Sequence, residues 1–545
     1  MSIILIAIFI LFLIKLLRDS LYFVWFWQVK EYRIDRMISH LKENDKIFQN
    51  NLLYISAVII FILYLISLKN VPLFFQYLVL IIFLFSFLQI VKEIKNRNLK
   101  RPKPTLKVIL IFLLLAIVYS MIAFCWISSF VALKEAKLPI GSLASVAELL
   151  LFVYIVNSLV ISSIVLAINP LFIFQKRRLI KRATLKMAGL KKIKVIGITG
   201  SYGKTSTKEF LYTILSQKYK VVRTEGNNNT NIGVAYTVLN KVNDDYDYFI
   251  CEMGAYKIGE IAEICSIVQP EIGILTGINE QHLELFGSIE NTIKAKFELI
   301  KSLPENGMGI LNGDNEYIKT EIGNWSKGFS PTIKLFQTKD IAPNIKVYQD
   351  CVEFVYRDQK FKLNLLGKHY IENVLSAIMV AEHLGMNLEE IKNATEKIKP
   401  TEYMMGKLVG PNDSVFIDDS YSANPDGVIA ALDYLNEAYS GYKKIIVFPG
   451  IMDLGKESRD IHKKLFDRIG EVCNIAYILN QDTKRLHSPI GTMEPASDCE
   501  FIFEKDFDKV TKMIKNNLDK NTVVLLESRG AEVVMIKLKR INNDQ

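Results

Sequence analysis

The stretch KVIGIT-GSYGKTST-KEFLYTIL, residues 194–215, decides the fold of the larger part of the chain. Its β-branched start predicts a strand, its glycine-containing middle a loop, and its end a helix. Glycines in such a loop let backbone N–H groups curl around phosphate oxygens. Lys204 supplies a positive charge, and a hydroxyl of Thr205 or Ser206 can coordinate Mg²⁺. The pattern GxxxxGK[ST] is incomplete, because Ile198 occupies the position of its first glycine. The strand before and the helix after nevertheless predict a phosphate-binding loop (P-loop).

Strands and helices continue to alternate after this loop. Further short apolar runs are typical of buried strands: Tyr248–Glu252, Ile272–Thr276, Ile445–Pro449, Ile475–Leu479 and Val523–Glu527. Amphipathic stretches separate them, which is the pattern of a parallel α/β fold. A β-rich stretch, 345–366, precedes a helical stretch, 370–384, and Pro400 marks a break. We therefore predict a central P-loop domain over 193–398 and a C-terminal Rossmann-like α/β domain over 399–545.

The first third of the chain has a different composition. Half of the 545 residues are hydrophobic, 23% are charged, and the net charge is +10. Residues 1–192 contain 25 Lys and Arg against 8 Asp and Glu, whereas the remainder contains 42 against 49. Because the basic excess flanks apolar runs, it favours a membrane surface as the partner and argues against nucleic acid.

Five apolar runs in this region approach the ~20 residues that cross a hydrocarbon core. They are Ile3–Leu17, Leu52–Leu68, Val71–Val91, Val108–Leu133 and Leu149–Ile173. Few ionisable residues lie within them, so anchoring is favoured over transport. We predict a multi-pass α-helical membrane domain over 1–175. A basic juxtamembrane linker, 176–192, follows, and we expect it to contact lipid headgroups rather than an anionic polymer.

The connections between successive apolar runs alternate between many and few basic residues. Five lie in 30–46, six in 92–103 and eight in 176–192, whereas the intervening connections carry one at Lys69 and two at Lys134 and Lys137. Since Lys and Arg resist translocation, this alternation predicts five spans of the plasma membrane with the catalytic region in the cytoplasm. The six cysteines form no CxxC pair, which agrees with reduced thiols in that compartment.

Three side chains after the loop indicate a metal site. Glu252 ends a predicted strand, His282 lies in NEQHLELFGS, and Lys296 lies on the next predicted helix. A carboxylate at a strand end near a phosphate loop is a natural ligand of Mg²⁺ or of its bound water. Taken singly, the histidine and the lysine are more typical of an exposed surface.

Eight segments follow one another in a specific order. They are ITGSYGKTSTKE, TEGNNNTNIGVAYTVLN, EMGAYKIGEI, HLELFGSIENTIKAK, LLGKHYIENVLSAIMVAEHLG, DDSYSANPDGVIAAL, FPGIMDLG and ESRGAE. In these segments, between Lys194 and Leu538, the chain resembles the Mur ligase family, the ATP-dependent amide-bond synthetases of peptidoglycan precursor assembly. DDSYSANPD is similar to the segment of the type that adds D-alanyl-D-alanine, because the sister types usually carry a histidine before Asn-Pro.

The resemblance implies roles for individual residues. Those implied to bind ATP are Gly200, Ser201, Gly203, Lys204, Thr205, Ser206, His369, Asn373, Asp418, Asp419, Tyr421 and Asn424. Those implied to hold two Mg²⁺ ions are Thr205, Glu252, His282 and Lys296, the last as a carbamylated lysine. The implied catalytic residues are Lys204, Lys296 and His282. The implied substrate contacts are Asn227, Asn229, Ser528 and Arg529.

The chain departs from the family's pattern mainly at substrate-facing positions. The departures are Tyr370, Ser422 and Thr230 for asparagine, Ala235 for proline, Lys407 for arginine, and Glu527 for lysine or glycine. They bear on the specificity for acceptor and amine rather than on the ATP chemistry. Apolar runs replace the family's small UDP-gripping domain, so the acceptor is expected to lack the UDP handle and to be lipid-linked.

We therefore expect a membrane-anchored ligase that activates a carboxylate of a cell-envelope precursor as an acyl phosphate. It would join this carboxylate to the amine of an amino acid or dipeptide. Two alternatives stay open. A ligase that extends a poly-γ-glutamate-type capsule predicts glutamate dependence. An ATP-driven transporter or membrane regulator predicts turnover without an amine and polar residues along the spans.

Overall fold

The computed structural model describes residues 2–30, 32–34, 37, 73–95, 99–135, 144–226, 228–281, 283–325, 331–402, 404–421, 424–451, 454, 458–479 and 499–543. The chain divides into two compact units, Met1–Lys176 and Arg177–Gln545. The helices of the first unit are α1 (Ser2–Val29), α2 (Leu73–Lys95), α3 (Leu106–Glu135) and the start of α4 (Ala144–Gly189).

The prediction of a multi-pass membrane domain is wrong. Among the described residues, two helical stretches are long and apolar enough to cross a membrane, Leu106–Cys125 and Phe152–Gly189. The predicted run Ile3–Leu17 lies in α1, which continues as one helix to Val29.

Charged side chains interrupt the apolar stretch of α1. Lys15 Nζ lies 2.9 Å from Asp19 Oδ2, and Arg18 forms an ion pair with Glu93 of α2. The run 52–68 lies outside the described residues, and 71–91 lies outside them in part.

The first sheet of the second unit is parallel, with the order β2-β3-β1-β4-β5-β6. Its strands are β1 (Lys194–Thr199), β2 (Val221–Arg223), β3 (Tyr248–Glu252), β4 (Ile272–Leu275), β5 (Met308–Asn312) and β6 (Thr332–Phe336). Both faces of the sheet are covered, which is why its central strands are continuous apolar runs. Ile196, Ile274 and Ile310 are fully buried on one face.

Helices and a small antiparallel sheet surround this first sheet and complete the first half of the second unit, which ends before Gly406. The helices are α5 (Lys204–Leu215), α6 (Asn231–Lys241), α7 (Glu260–Val268), α8 (Leu283–Phe286), α9 (Ile289–Lys301), α10 (Glu316–Trp325), α11 (Thr338–Ile341), α12 (Tyr370–His383) and α13 (Leu388–Thr395). The small sheet contains β7 (Lys346–Val347), β8 (Val352–Tyr356) and β9 (Gln359–Leu363).

The second large sheet has the order β10-β11-β15-β12-β13-β14, in which β10 is an antiparallel edge strand. Its strands are β10 (Gly406–Val409), β11 (Val415–Asp419), β12 (Lys443–Phe448), β13 (Ile475–Ile478), β14 (Glu500–Phe503) and β15 (Thr522–Glu527). The helices are α14 (Pro425–Ala438), α15 (Ser458–Val472), α16 (Phe507–Lys515) and α17 (Glu532–Asn543), with a short 3₁₀ turn at Pro411–Asp413.

Several of the predicted site residues lie at the carboxyl ends of the parallel strands in the two large sheets, where ligands of open α/β sheets bind. Gly200 follows β1 and Glu252 ends β3. In the second sheet, Asp419 ends β11 and Glu527 ends β15.

Candidate active site

A cavity of about 580 Å³ lies at these carboxyl ends. From the first half it is lined by Ser201, Tyr202, Gly203, Lys204, Thr205, Ser206, Asn229, Glu252, Gln281 and Lys296, among others. From the second half it is lined by Tyr421, Asn424, Ile451, Leu454, Ser528 and Arg529, among others. A volume of this order fits a nucleotide-sized ligand.

The phosphate loop runs from the end of β1 into the first turn of α5. Gly203 has φ +74°, and a Cβ atom there would lie 2.4 Å from Asn373 Oδ1, so a side chain would strain the backbone and displace Asn373. Lys204 Nζ donates hydrogen bonds to the carbonyl oxygens of Gly200 at 2.7 Å and Ser201 at 3.0 Å. Burial lowers the pKa of Lys204, and Glu252 opposes that shift. The loop therefore places the Lys204 amine at the start of a helix, where backbone N–H groups and the helix dipole favour phosphate.

Glu252 is the centre of a buried polar network. Its side chain accepts hydrogen bonds from Thr205 Oγ1 at 3.1 Å and from Asn229 Nδ2 at 3.0 Å. Lys208 Nζ lies 3.0 Å from Glu252 Oε2, and both side chains are almost fully buried. The oxygens of Thr205 and Glu252 form a donor set that suits Mg²⁺, a cation that prefers oxygen ligands.

Lys296 lies on α9 and is 3% exposed. Burial places its pKa well below the ordinary lysine value. The charge of Lys204 lowers it further, whereas Glu260 and Glu298 raise it. Lys296 Nζ lies 5.5 Å from the ring centroid of Phe286. His282 and Asn227 lie outside the described residues, and the described part of the chain contains no cluster of three or more His, Cys, Asp or Glu residues suited to a metal.

His369 and Asn373 lie behind the phosphate loop and do not line the cavity. Asn373 Oδ1 accepts a hydrogen bond from Thr207 Oγ1 at 3.2 Å. Burial lowers the pKa of His369 to about 4, and its Nδ1 has no hydrogen-bond partner among the described residues. Nearby, Glu372 accepts from Asn312 Nδ2 at 2.7 Å, and burial raises its pKa to about 7.

The second sheet contributes an acidic pair and the opposite part of the cavity lining. Asp419 and Glu527 are register partners on neighbouring parallel strands. Burial, followed by the charge of Asp418, raises the pKa of Asp419 to about 7. Burial and the charge of Asp419 raise the pKa of Glu527 well above its usual range. Asp418 itself accepts hydrogen bonds from the backbone N–H and the hydroxyl of Ser420.

Asn279 joins the two halves of the cavity lining. Its Nδ2 atom donates to Asn424 Oδ1 and to Asp426 Oδ2, each at 2.9 Å. Asn424 also caps α14 by accepting from the N–H of Gly427 at 3.1 Å. These contacts hold Asn424 and Asp426 against the loop that follows β4.

Most of the residues predicted from sequence lie around this one cavity. The structure brings together Ser201, Gly203, Lys204, Thr205, Ser206, Asn229, Glu252, Lys296, Tyr421, Asn424, Ser528 and Arg529. Sequence reasoning missed Lys208, Asn279 and Glu372. The position of Lys208, one helical turn after Lys204, was the available signal for the first of these.

Two family models match the second unit. One, described as the Mur ligase middle domain, matches residues 198–381. The other, described as Mur ligase, glutamate ligase domain, matches residues 406–530.

Three relatives carry the name UDP-N-acetylmuramoyl-tripeptide--D-alanyl-D-alanine ligase. The protein of Escherichia coli is 34% identical over 52% of this chain and 63% of its own length. That of Bacillus subtilis is 30% identical over 50% of this chain and 59% of its own length. That of Buchnera aphidicola from Acyrthosiphon pisum is 32% identical over 65% of this chain and 76% of its own length. The chain thus spans less than two thirds of the first two relatives.

Two solved structures share the fold. MurF from Acinetobacter baumannii has a TM-score of 0.60 and 24% identity, covering 67% of this chain and 80% of that chain. A MurF ligase from Thermotoga maritima, solved in complex with ADP, has a TM-score of 0.58 and 24% identity. The match covers 68% of this chain and 85% of that chain.

Proposed function

Because the chain belongs to the Mur ligase family, we propose that it is an ATP-dependent, ADP-forming ligase of cell-envelope synthesis. Its proposed substrates are D-alanyl-D-alanine and the carboxylate of a UDP-N-acetylmuramoyl-tripeptide, which the relatives' names supply. One observation carries the proposal: the phosphate loop and Glu252 line the same cavity as Tyr421, Ser528 and Arg529.

The chemistry has two steps, because a carboxylate is a poor acylating agent. Transfer of the γ-phosphoryl group of ATP to the carboxylate oxygen gives an acyl phosphate and ADP. The amine then attacks the acyl carbon, the C–N bond forms, and phosphate leaves with the electron pair of the broken C–O bond. Such transfers depend mainly on positioning and on stabilising charge at phosphate oxygens.

The phosphate loop supplies both effects. Its N–H groups and Lys204 Nζ would hold the β- and γ-phosphates, with Gly200, Ser201 and Ser206 shaping the cradle. Thr205, Glu252 and His282 would hold Mg²⁺, which when bound neutralises charge on the phosphate oxygens. Lys208, bonded to Glu252, fixes the orientation of that carboxylate.

Lys296 is proposed to carry a carbamate that helps to hold a second Mg²⁺. An amine must be uncharged to react with CO₂, and the burial of Lys296 favours its uncharged form,. The product offers two oxygen atoms in place of an ammonium group. An amine would be a poor ligand for Mg²⁺, whereas a carbamate suits it.

The remaining predicted residues are assigned to the bound substrates. His369 and Asn373 would lie near adenine. Asp418, Asp419, Tyr421 and Asn424 would close on the nucleotide and the incoming amine, with Asp419 on the side of the amine. Asn227 and Asn229 would contact the acceptor, and Ser528 and Arg529 the amine substrate. We also propose that 193–398 and 399–545 are separate domains, so that closure between them excludes water from the acyl phosphate.

We further propose that the stretches Leu106–Cys125 and Phe152–Gly189 hold the enzyme at the plasma membrane, with its catalytic domains on the cytoplasmic side. Basic residues of 176–192 would then contact acidic lipid headgroups. The relatives' names specify a UDP-linked acceptor, so they give no support to a lipid-linked acceptor. They likewise favour neither a poly-γ-glutamate ligase nor a transporter.

Release of phosphate from ATP tests the proposal. Purified protein with ATP and Mg²⁺ should release phosphate when UDP-N-acetylmuramoyl-tripeptide and D-alanyl-D-alanine are both present, and mass spectrometry should find the joined product. Lys204→Ala should abolish release because the loop loses its cation.

Lys319→Ala, an exposed lysine of α10, is the matched control and should leave the rate unchanged. Phosphate release that needs neither the acceptor nor the dipeptide would contradict the ligase assignment.

A further inference from the structure

Two polar atoms beside the cavity are buried without hydrogen-bond partners among the described residues. They are Glu527 Oε2 and Ser528 Oγ, at the end of β15. Glu527 is 1% exposed and Ser528 3% exposed, while the other oxygen of Glu527 accepts the N–H of Ser528 at 3.1 Å. A buried polar atom without a partner is energetically unfavourable, so two neighbouring ones point to a ligand that brings donors.

The charge at this place indicates what kind of donor fits. Glu527 is the register partner of Asp419, and Asp418 is a further carboxylate beside the pair. Burial raises the pKa of both carboxyl groups, and a neighbouring negative charge adds to each shift: that of Asp418 for Asp419, and that of Asp419 for Glu527. A positively charged donor would relieve the repulsion and fill the two free acceptors.

The adjoining lining of the cavity has the opposite charge. Ser528 has φ +74°, a left-handed conformation that turns the chain directly after Glu527. Ser528 and the exposed Arg529 both line the cavity. A guanidinium group within two residues of a buried acidic pair is complementary to a molecule that carries both an ammonium and a carboxylate group.

We propose that Glu527, paired with Asp419, receives the ammonium group of the incoming amine and removes a proton from it. This rests on the proposed ligase function and names the base for its second step. Glu527 stands where the chain departs from the residues that the family resemblance implies, so the assignment is specific to this chain.

The proton balance of the step is simple. Glu527 Oε2 takes one proton from the ammonium nitrogen, and the freed lone pair attacks the acyl carbon. The C–O bond to phosphate breaks as the C–N bond forms, and the second nitrogen proton leaves with the departing phosphate. Asp419 is a positioning residue, because its charge acts on Glu527.

Two nucleophiles distinguish this role from a structural one. D-Alanyl-D-alanine is an ammonium ion that needs a base, whereas hydroxylamine is largely uncharged at neutral pH and traps an acyl phosphate directly as a hydroxamate. With ATP, Mg²⁺ and UDP-N-acetylmuramoyl-tripeptide, Glu527→Gln should lower kcat/KM for the dipeptide roughly 100-fold, as loss of a general base does. Hydroxamate formation should stay within about twofold of the unaltered protein, since no base is required.

Glu527→Asp keeps a carboxylate and should recover part of the dipeptide activity. Glu500→Gln, an exposed glutamate of the same sheet, is the matched control and should change neither reaction. Circular dichroism checks the folding of each variant. If Glu527→Gln unfolds, Asp419→Asn replaces it in the assay and should lower dipeptide turnover selectively.

An equal loss with both nucleophiles, or no loss with either, would overturn the role of Glu527 while leaving the ligase function standing. If the unaltered protein forms neither the hydroxamate nor the dipeptide product, the ligase function itself fails and the base assignment falls with it.

Discussion

At the residue scale, Lys296 is an ionisable group whose surroundings lower its pKa well below the ordinary lysine value. The lysine is buried on α9, and the nearby charge of Lys204 disfavours a second cation. We expect protein equilibrated with ¹³C-bicarbonate to show a carbamate signal by NMR that is absent from Lys296→Met. Ligase activity of that variant should fall by at least about 100-fold, because a metal ligand is lost.

Lys301→Met, at the end of the same helix, is the control and should keep the signal. A carbamate signal that survives in Lys296→Met would assign the modification to another lysine.

Glu372 should make stability depend on pH. Burial, with the charges of Asp314 and Asp426, raises its pKa to about 7, while the hydrogen bond from Asn312 opposes the shift. A carboxyl group whose folded pKa is raised binds more protons folded than unfolded, so stability falls as pH rises from its unfolded value to about 7,. Glu372→Gln should remove this loss and gain on the order of 1–3 kcal/mol at pH 8, with little gain at pH 4.

Urea unfolding at the two pH values, followed by circular dichroism, measures the effect. The exposed Glu396→Gln is the control. Equal stability changes at both pH values would mean that Glu372 does not titrate in this range.

The site residues that could be predicted from sequence are those whose role follows from their position next to a predicted strand or helix. Lys204 and Thr205 lie between a strand and a helix, and Glu252 ends a neighbouring strand. Parallel strands end at the same edge of a sheet, so these residues are expected to lie close together. The bonds from Asn279 to Asn424 and Asp426 join segments far apart in the chain, and an asparagine in a loop gives no signal of its partner.

At the element scale, the strands followed their apolar runs closely. The predicted strand Tyr248–Glu252 has the bounds of β3, and the predicted Val523–Glu527 differs from β15 by one residue. Buried parallel strands are apolar throughout, so their ends are marked by the first polar residue. The apolar run Ile3–Leu17 covers only part of α1, because the helix continues through the charged Arg18 and Asp19 to Val29.

The loop after β12 is held by a histidine from α15. The N–H of Ile451 donates to His462 Nε2 at 3.1 Å, and His462 Nδ1 lies 2.7 Å from the carbonyl oxygen of Ser458, so Nδ1 carries the proton. His462 is 1% exposed, and Ile451 lines the cavity. We expect His462→Leu to free the loop and to lower kcat/KM of the ligase reaction by about tenfold.

His462→Gln can place an acceptor near the N–H of Ile451 and should retain more activity than the leucine variant. His383→Leu, at the exposed end of α12, is the control in the same kinetic assay. Equal kcat/KM values for the leucine and glutamine variants would mean that the hydrogen bond to Ile451 is unimportant.

At the scale of the whole molecule, the first unit should decide where the protein is found. Leu113 and Ile117 are exposed on α3, within the stretch that is apolar enough to cross a membrane. We expect the full chain to stay in the membrane fraction after an alkaline carbonate wash. Leu113→Arg with Ile117→Arg should shift it out, because an arginine in the middle of a span costs about 2.5–3.5 kcal/mol.

Ile536→Arg, on the exposed face of α17, is the control and should leave the distribution unchanged. An unaltered chain that is released by the wash would contradict the proposed attachment.

The place of β15 in its sheet has a consequence during protein synthesis. Among the strands that the structure describes, β15 is the last to leave the ribosome, yet it lies between β11 and β12. Until it arrives, those two strands have no common neighbour and present bare edges, which attract chaperones, proteases and other unpaired strands. A chain cut short between β12 and β15 would therefore keep the whole phosphate loop and yet expose two unpaired strand edges,.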